Sequence, residues 1–302
     1  MPTFEVFDIP SHQPALVARV RHTAPDRATG GLPVLFVHGS SFPSALSFDF
    51  RMDGQSWMDW MAARGYDIYA LDFLGYGLSE RYPDAPSPAG APGRAREVVR
   101  DVASAVDAIL RRTGQRQVLL VGHSWGGSVA ARYAQEHAGK VAQLVLFAAL
   151  TPRVAGPAGA THGVDGGAAY EEMTPAQRIA AMDGLRPPQE SAQLHADVFA
   201  RWGGEWLASD ARSAGKVRFP AGPGVDVAQL LQGGAYYDPA RLAMPVLLVR
   251  GEWDAWPDDA DLRRLQGQIP HAQYVVIPRG THVMHLEHAR GALYEAVRAF
   301  LD

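Results

Sequence analysis

The 302-residue chain contains no cysteine. That excludes a disulfide framework, a thiolate metal site and a cysteine nucleophile. It has no Lys/Arg-rich run, and 28 basic against 32 acidic residues leave a formal net charge of -4. Nothing here marks a nucleic-acid partner. No apolar stretch approaches the ~18 residues needed to span a bilayer, so no membrane partner is expected. The opening "MPTFEVFDIP" lacks the basic start and apolar core of a signal peptide, and the expected location is cytoplasmic. No internal repeat emerges. What is present is an ordinary globular balance, 47% hydrophobic and 20% charged. A chain of this length can bury roughly three quarters of its unfolded surface.

Hydrophobic patterning gives the organisation. "FEVFDIP" and "ALVARVRHT" read as an antiparallel hairpin pair. "LPVLFVHG" (Leu32–Gly39), "YDIYALD", Val118–Val121 and Val141–Ala149 read as buried strands. Between them, Gln55–Arg64, Arg94–Arg112 and Ser128–His137 have helical spacing. The alternation breaks at Thr151, where "TPRVAGPAGATHGVDGGAA" reads as an irregular loop. Two helical stretches follow. One is "MTPAQRIAAM", with Thr174 as N-cap; the other is "SAQLHADVFARWGGEWLAS", interrupted at Gly203-Gly204. The strand rhythm resumes with "PVLLVRG", a helix near Asp258–Gln266, the strand "QYVVIP" and a last helix from Leu286 to Leu301. The expected fold class is α/β, a mostly parallel sheet flanked by helices. Residues 1–150 and 244–302 would form the core, and residues 151–243 a mainly helical insert.

The most informative stretch is "VLLVGHSWGGSVAARYA" (Val118–Ala134), a buried strand running into an Ala-rich helix. Between them Ser124 is flanked by Gly122 and Gly126, the two positions where a Cβ would collide with neighbouring backbone. A bare G-x-S-x-G recurs by chance; a strand directly before it and a helix directly after it make the signal specific. Such a turn lifts the hydroxyl above the sheet and aims helix N–H groups at the same spot. A serine needs a base to take its proton, and in this topology an acid and then a histidine follow on later strands. Asp254 stands in "GEWDAW" after the strand that resumes, and His282 in "RGTHVMHLE" after the last strand. Glu252 is the rival acid, nearer its strand end. His285 and His288 follow His282 at three-residue steps, but no second ligand type accompanies them, so neither metal nor other cofactor is expected.

These residues resemble the α/β-hydrolase superfamily, in its serine-nucleophile branch with an inserted cap. The likeness rests on "VHGSS", "DFLGYGLSE", "GHSWGG", "GEWD" and "GTHVMHLE". It implies Ser124 as nucleophile, His282 as general base and acid, and Asp254 as the residue orienting His282. It implies an oxyanion hole from the backbone N–H groups of Ser40 and Trp125, with Ser41 as the lesser alternative. Asp72 and "GYG" would support the site without taking part in chemistry. Residues 151–243 would be a cap or lid. Its Trp202, Trp206 and Tyr236, with Ser41 and Phe42, are the expected substrate contacts. Phe48 and Phe50 are expected near the mouth, and Arg153 is placed to meet a substrate carboxylate. The implied function is hydrolysis of a carboxylic ester or lactone of a small to medium apolar or aromatic molecule through an acyl-enzyme. Serine at position 124 disfavours the dehalogenases and epoxide hydrolases of this superfamily, which use aspartate there. C–C hydrolases, amidases or aminopeptidases, haloperoxidase-like perhydrolases and a non-catalytic receptor of the same fold remain the alternatives.

Overall fold

The computed structural model describes residues 4–27, 29–84, 90–153 and 168–302. In chain order the elements are β1 (Glu5–Pro10), β2 (Val17–Thr23), β3 (Val34–Val37), α1 (Ser44–Ser47), α2 (Trp57–Ala62), β4 (Ile68–Asp72) and α3 (Ala95–Thr113). Then come β5 (Val118–His123), α4 (Ser124–Glu136) and β6 (Val141–Phe147). The segment before the sheet resumes holds β7 (Tyr170–Met173), α5 (Pro175–Asp183), α6 (Ala196–Ala208), β8 (Val217–Pro220) and α7 (Gly222–Leu231). The chain closes with β9 (Val246–Gly251), α8 (Asp259–Gln268), β10 (Ala272–Ile277) and α9 (Arg290–Leu301). No helix among the described residues is long and apolar enough to cross a membrane.

Eight strands form one sheet in the order β1-β2-β4-β3-β5-β6-β9-β10. β2 runs antiparallel to β1 and β4, and the neighbours from β4 through to β10 pair in parallel. The period of two explains the layers. Leu35 and Val37 of β3 face one core, against Val98, Val102 and Ile109 of α3 and Val129 of α4. Val34 and Phe36 face the other, against Trp57 and Met61 of α2 and Leu293 and Val297 of α9. Both faces are sealed, so truncating Leu120→Ala would cost about 2–5 kcal/mol. α3 forms where its apolar residues share one face, Glu97 accepts from Gly93 N and Arg94 N, and Gly114 (φ 69°) ends it in the left-handed region.

The structure corrects several expectations. α4 begins at Ser124 and not at Ser128. α6 runs unbroken through Gly203-Gly204, because Gly203 is a packing notch: a Cβ there would sit 3.1 Å from Ile179 Cδ1 and from Pro175 Cβ. The region between β6 and β9 is not helical alone. β7 and β8 pair antiparallel, Tyr170 opposite Pro220 and Met173 opposite Val217, and α7 was not foreseen. Phe48 does not lie at a mouth. It is buried in the second core, stacked on Phe36 with ring centroids 4.6 Å apart. The loop expected over 151–169 falls for the most part outside the described residues.

Candidate active site

The turn after β5 is held by contact. Ser124 has φ 54°, a left-handed conformation that costs a non-glycine residue on the order of 1–3 kcal/mol and persists only where its surroundings enforce it. They do so through backbone crowding. A Cβ on Gly126 would lie 2.0 Å from His38 O, and one on Gly122 would lie 2.7 Å from Gly127 Cα. The strand end, the helix start and the loop after β3 therefore meet with no room for side chains. Ser124 sits at the first turn of α4, whose leading N–H groups have no intrahelical acceptor.

Two further strand ends converge on this serine. Ser124 Oγ donates to His282 Nε2 at 2.7 Å. On the other side of the ring, His282 Nδ1 donates to Asp254 Oδ2 at 3.1 Å, with Oδ1 at 3.3 Å. Asp254 is buried and His282 largely so. The acid loop is stapled: Arg250 Nη2 donates to Asp254 O at 3.0 Å and to Glu252 O at 2.9 Å, and Trp256 N donates to Asp254 Oδ1 at 3.1 Å. Glu252 points elsewhere and accepts from Arg279 N at 2.9 Å. The histidine loop is tied by Glu287, which accepts from Thr281 N at 2.9 Å and from Thr281 Oγ1 at 2.5 Å. Burial raises the Glu287 carboxyl above its usual range.

Three further histidines, His38, His123 and His285, pack around the site. His123 Nε2 donates to His282 O at 3.0 Å, and His38 bridges Gly39 O (Nδ1, 2.6 Å) and Phe73 N (Nε2, 3.3 Å). Burial lowers the pKa of both, and for His123 the neighbouring His285 and His282 add to the effect. His285 is buried among Phe42, Phe48, His123 and Phe147, and burial pushes it down to about 3. His288 instead packs against His195, centroids 4.1 Å apart. Among the described residues no three His, Asp or Glu side chains are grouped to hold a metal.

The loop after β3 passes directly over the serine: a Cβ on Gly39 would lie 3.0 Å from Ser124 Cβ. Ser41 (φ 74°) is occupied, its N–H reaching Tyr76 OH at 3.4 Å and its Oγ donating to Ser40 O at 2.6 Å. The Ser40 N–H donates to no described residue, so the two candidate donors of this loop differ in availability. Asp72 fixes the loop from beneath, accepting from Ser44 N at 2.8 Å and Leu78 N at 3.1 Å.

The expected substrate contacts divide. Phe42, Trp202 and Trp206 are buried together. Trp202 Nε1 donates to Leu46 O at 3.2 Å and Trp206 Nε1 to Ser41 O at 3.0 Å, so the indoles grip α1 and the loop after β3 respectively. Tyr236 spends its hydroxyl on Asp226 O at 2.6 Å. Arg153 donates to Ala255 O at 2.7 Å and lies 3.9 Å from Asp261, where its charge is already answered. Asp226, on α7, was not anticipated. It accepts from Trp125 Nε1 at 3.0 Å and Ala95 N at 2.6 Å and pairs with Arg94. Nothing local in the sequence announces a contact spanning a hundred residues.

Residues 33–289 match the family model described as alpha/beta hydrolase fold. The chain belongs to that family. It is 36% identical over 123 residues to a non-heme haloperoxidase of Rhodococcus erythropolis, covering 40% of this chain and 38% of the relative. It is 33% identical over 97 residues to epoxide hydrolase B of Mycobacterium tuberculosis, covering 30% and 25%. The chain thus spans well under half the length of these curated relatives. Solved structures share the fold. A serine hydrolase involved in carbazole degradation superposes with a TM-score of 0.67 at 17% identity, over 99% of both chains. A bromoperoxidase from Bacillus anthracis gives 0.68 at 19% identity, over 98% of this chain and 99% of that one.

Proposed function

We propose that the protein is a serine hydrolase that cleaves a carboxylic ester or lactone of a small to medium apolar or aromatic molecule. The observation that carries this is the 2.7 Å contact between Ser124 Oγ and His282 Nε2, with Asp254 behind the ring. In this reading His282 takes the hydroxyl proton as Ser124 attacks the ester carbonyl, and Asp254 stabilises the imidazolium. The backbone N–H groups of Ser40 and Trp125 receive the oxyanion. The imidazolium then protonates the departing alkoxide, leaving an acyl-Ser124. Water, deprotonated by His282, attacks the acyl carbon and releases the acid with Ser124 restored. Residues 151–243 act as a cap whose aromatic residues exclude water.

The chain is partly similar to epoxide hydrolase B, but serine at position 124 disfavours that activity, since the epoxide hydrolases of this superfamily use aspartate there. The likeness to the haloperoxidase favours one second reading, in which hydrogen peroxide replaces water in the deacylation step. The test is turnover of esters, lactones, amides and vinylogous diketones, with and without peroxide, by the parent chain and by Ser124→Ala. Multiple turnovers of esters, abolished in the variant, are expected. Equal activity of the two proteins would overturn the reading.

A further inference from the structure

The segment between β6 and β9 sends one cation toward the site. α5 is capped by Thr174, whose hydroxyl accepts from Gln177 N, and it seats Pro175 and Ile179 in the notch that Gly203 leaves on α6. So seated, it holds the Arg178 guanidinium carbon 5.3 Å from the centroid of the Phe42 ring. Phe42 stands two residues beyond Ser40. The Arg178 charge acts on Tyr76, whose hydroxyl meets Ser41 N, and on His123, which precedes Ser124. Arg178 therefore lies against the loop after β3, at Phe42, within electrostatic reach of Tyr76 and His123.

Among the described residues the cation meets no carboxylate. Arg178 is half-buried, and its Nε, shut from solvent, donates to none of them. Other arginines of the same segment have carboxylates: Arg186 pairs with Asp183, Arg201 with Glu205 and Arg218 with Asp210. Among the described residues Arg178 has none. Burial pulls its pKa down to about 10, and Tyr76 is the group acting against that pull. A guanidinium whose Nε is shut from water and makes no hydrogen bond is costly to maintain. Its planar fork fits a carboxylate through two parallel bonds.

We propose that Arg178 binds a carboxylate carried by the substrate apart from the scissile ester, so that the preferred substrates are mono-esters of dicarboxylic acids. This rests on the serine-hydrolase reading and narrows it. Phe42, held by Trp202, seats the guanidinium, and Arg178 supplies the charge that selects and orients the acid. Arg153, tied to Ala255 and Asp261, does not serve this role.

The test compares monophenyl esters of succinic, glutaric and adipic acids with neutral phenyl esters of matched length, read as phenol release by the full chain. The parent should favour the best hemi-ester in kcat/KM. Arg178→Gln should lose about 100-fold on it, the scale expected for a charge-assisted contact in a sheltered site, while the neutral esters change less than about three-fold. Arg178→Lys should recover part of the loss. Fluorophosphonate labelling of Ser124 in each variant reads the integrity of the catalytic side without needing an anion. Glutarate should inhibit the parent competitively, and pentanamide should not. No preference for hemi-esters, no inhibition by glutarate, or an equal loss on both ester classes with labelling intact would overturn the assignment. Turnover undiminished in Ser124→Ala would instead sink the serine-hydrolase reading, while the hemi-ester to neutral-ester ratio would still report on Arg178.

Discussion

Replacing Asp254 by asparagine changes one oxygen to an amide nitrogen and leaves the volume of the buried site unaltered. Which oxygen is replaced can be worked out from the structure. Trp256 N–H donates to Asp254 Oδ1 at 3.1 Å, so an asparagine keeps its carbonyl on that side. Its NH2 then occupies the Oδ2 position, 3.1 Å from His282 Nδ1. There it is a donor facing a donor. The ring escapes by moving its proton to Nε2, where it donates toward Ser124 and cannot accept the hydroxyl proton. The expected fall in kcat is about 10⁴, or about 5.5 kcal/mol of transition-state stabilisation, with KM little changed. Steady-state hydrolysis of a soluble ester measures it, and circular dichroism melting shows that the fold is kept. A loss under ten-fold, or a larger loss in Glu252→Gln, would refute the reasoning and move the acid to Glu252.

Ser124→Ala should lower kcat by about 10⁶ and abolish the fluorophosphonate adduct; mass spectrometry that finds the adduct on another residue in the parent refutes the assignment. Gly126→Ala forces a methyl group to within 2.0 Å of His38 O. It should cost more than about 3 kcal/mol, and an unchanged melting temperature would show that the turn has slack. His285→Phe should spare hydrolysis and flatten the acid side of the stability curve. His285 is held at about 3 when folded, against 6.5 unfolded. Its contribution is therefore complete above pH 6.5 and is lost as pH falls toward 3. At about 1.4 kcal/mol per unit, the parent should lose about 3 kcal/mol more than the variant between pH 6.5 and 4, and parallel melting curves would contradict the origin assigned to the shift.

The sheet and the three strand-end residues were legible because their signals are short-ranged. A fully apolar run followed by glycine marks a strand end, and Ser124, Asp254 and His282 each stand just beyond one. Gly126-Gly127 hid the first turn of α4, since adjacent glycines read as loop while here they admit His38 and Ala149 into contact. Gly203 misled in the same way. The strands β7 and β8, "YEEM" and "VRFP", are too short and too polar to show a period of two. Side-chain destinations were the least legible. Phe48 and Arg153 were judged from their neighbours in sequence, and tertiary contacts assigned them to the second core and to Asp261. Asp226 and Arg178 gave no sequence signal, because what distinguishes them is the partner each meets, or lacks, across the fold.

The segment between β6 and β9 is keyed to the core at the backbone nearest the serine. Trp206 bonds to Ser41 O, Trp202 bonds to Leu46 O, and Asp226 holds the indole of Trp125. All three contacts are buried. Swinging the segment away as one rigid body would break them together and expose both tryptophans. At about 1 kcal/mol net for each hydrogen bond and about 2 kcal/mol for each buried aromatic side chain, such an opening costs on the order of 5 kcal/mol or more. Its population would then fall below about one in a thousand. In the proposed reaction, substrate selection would therefore belong to the closed arrangement, in which Trp206 is bonded to Ser41 O and Asp226 to the Trp125 indole. Substitutions at Trp206 or Asp226 act on the donors proposed to hold the oxyanion, so they change kcat along with affinity, whereas Arg178, which touches neither donor, changes the choice of substrate.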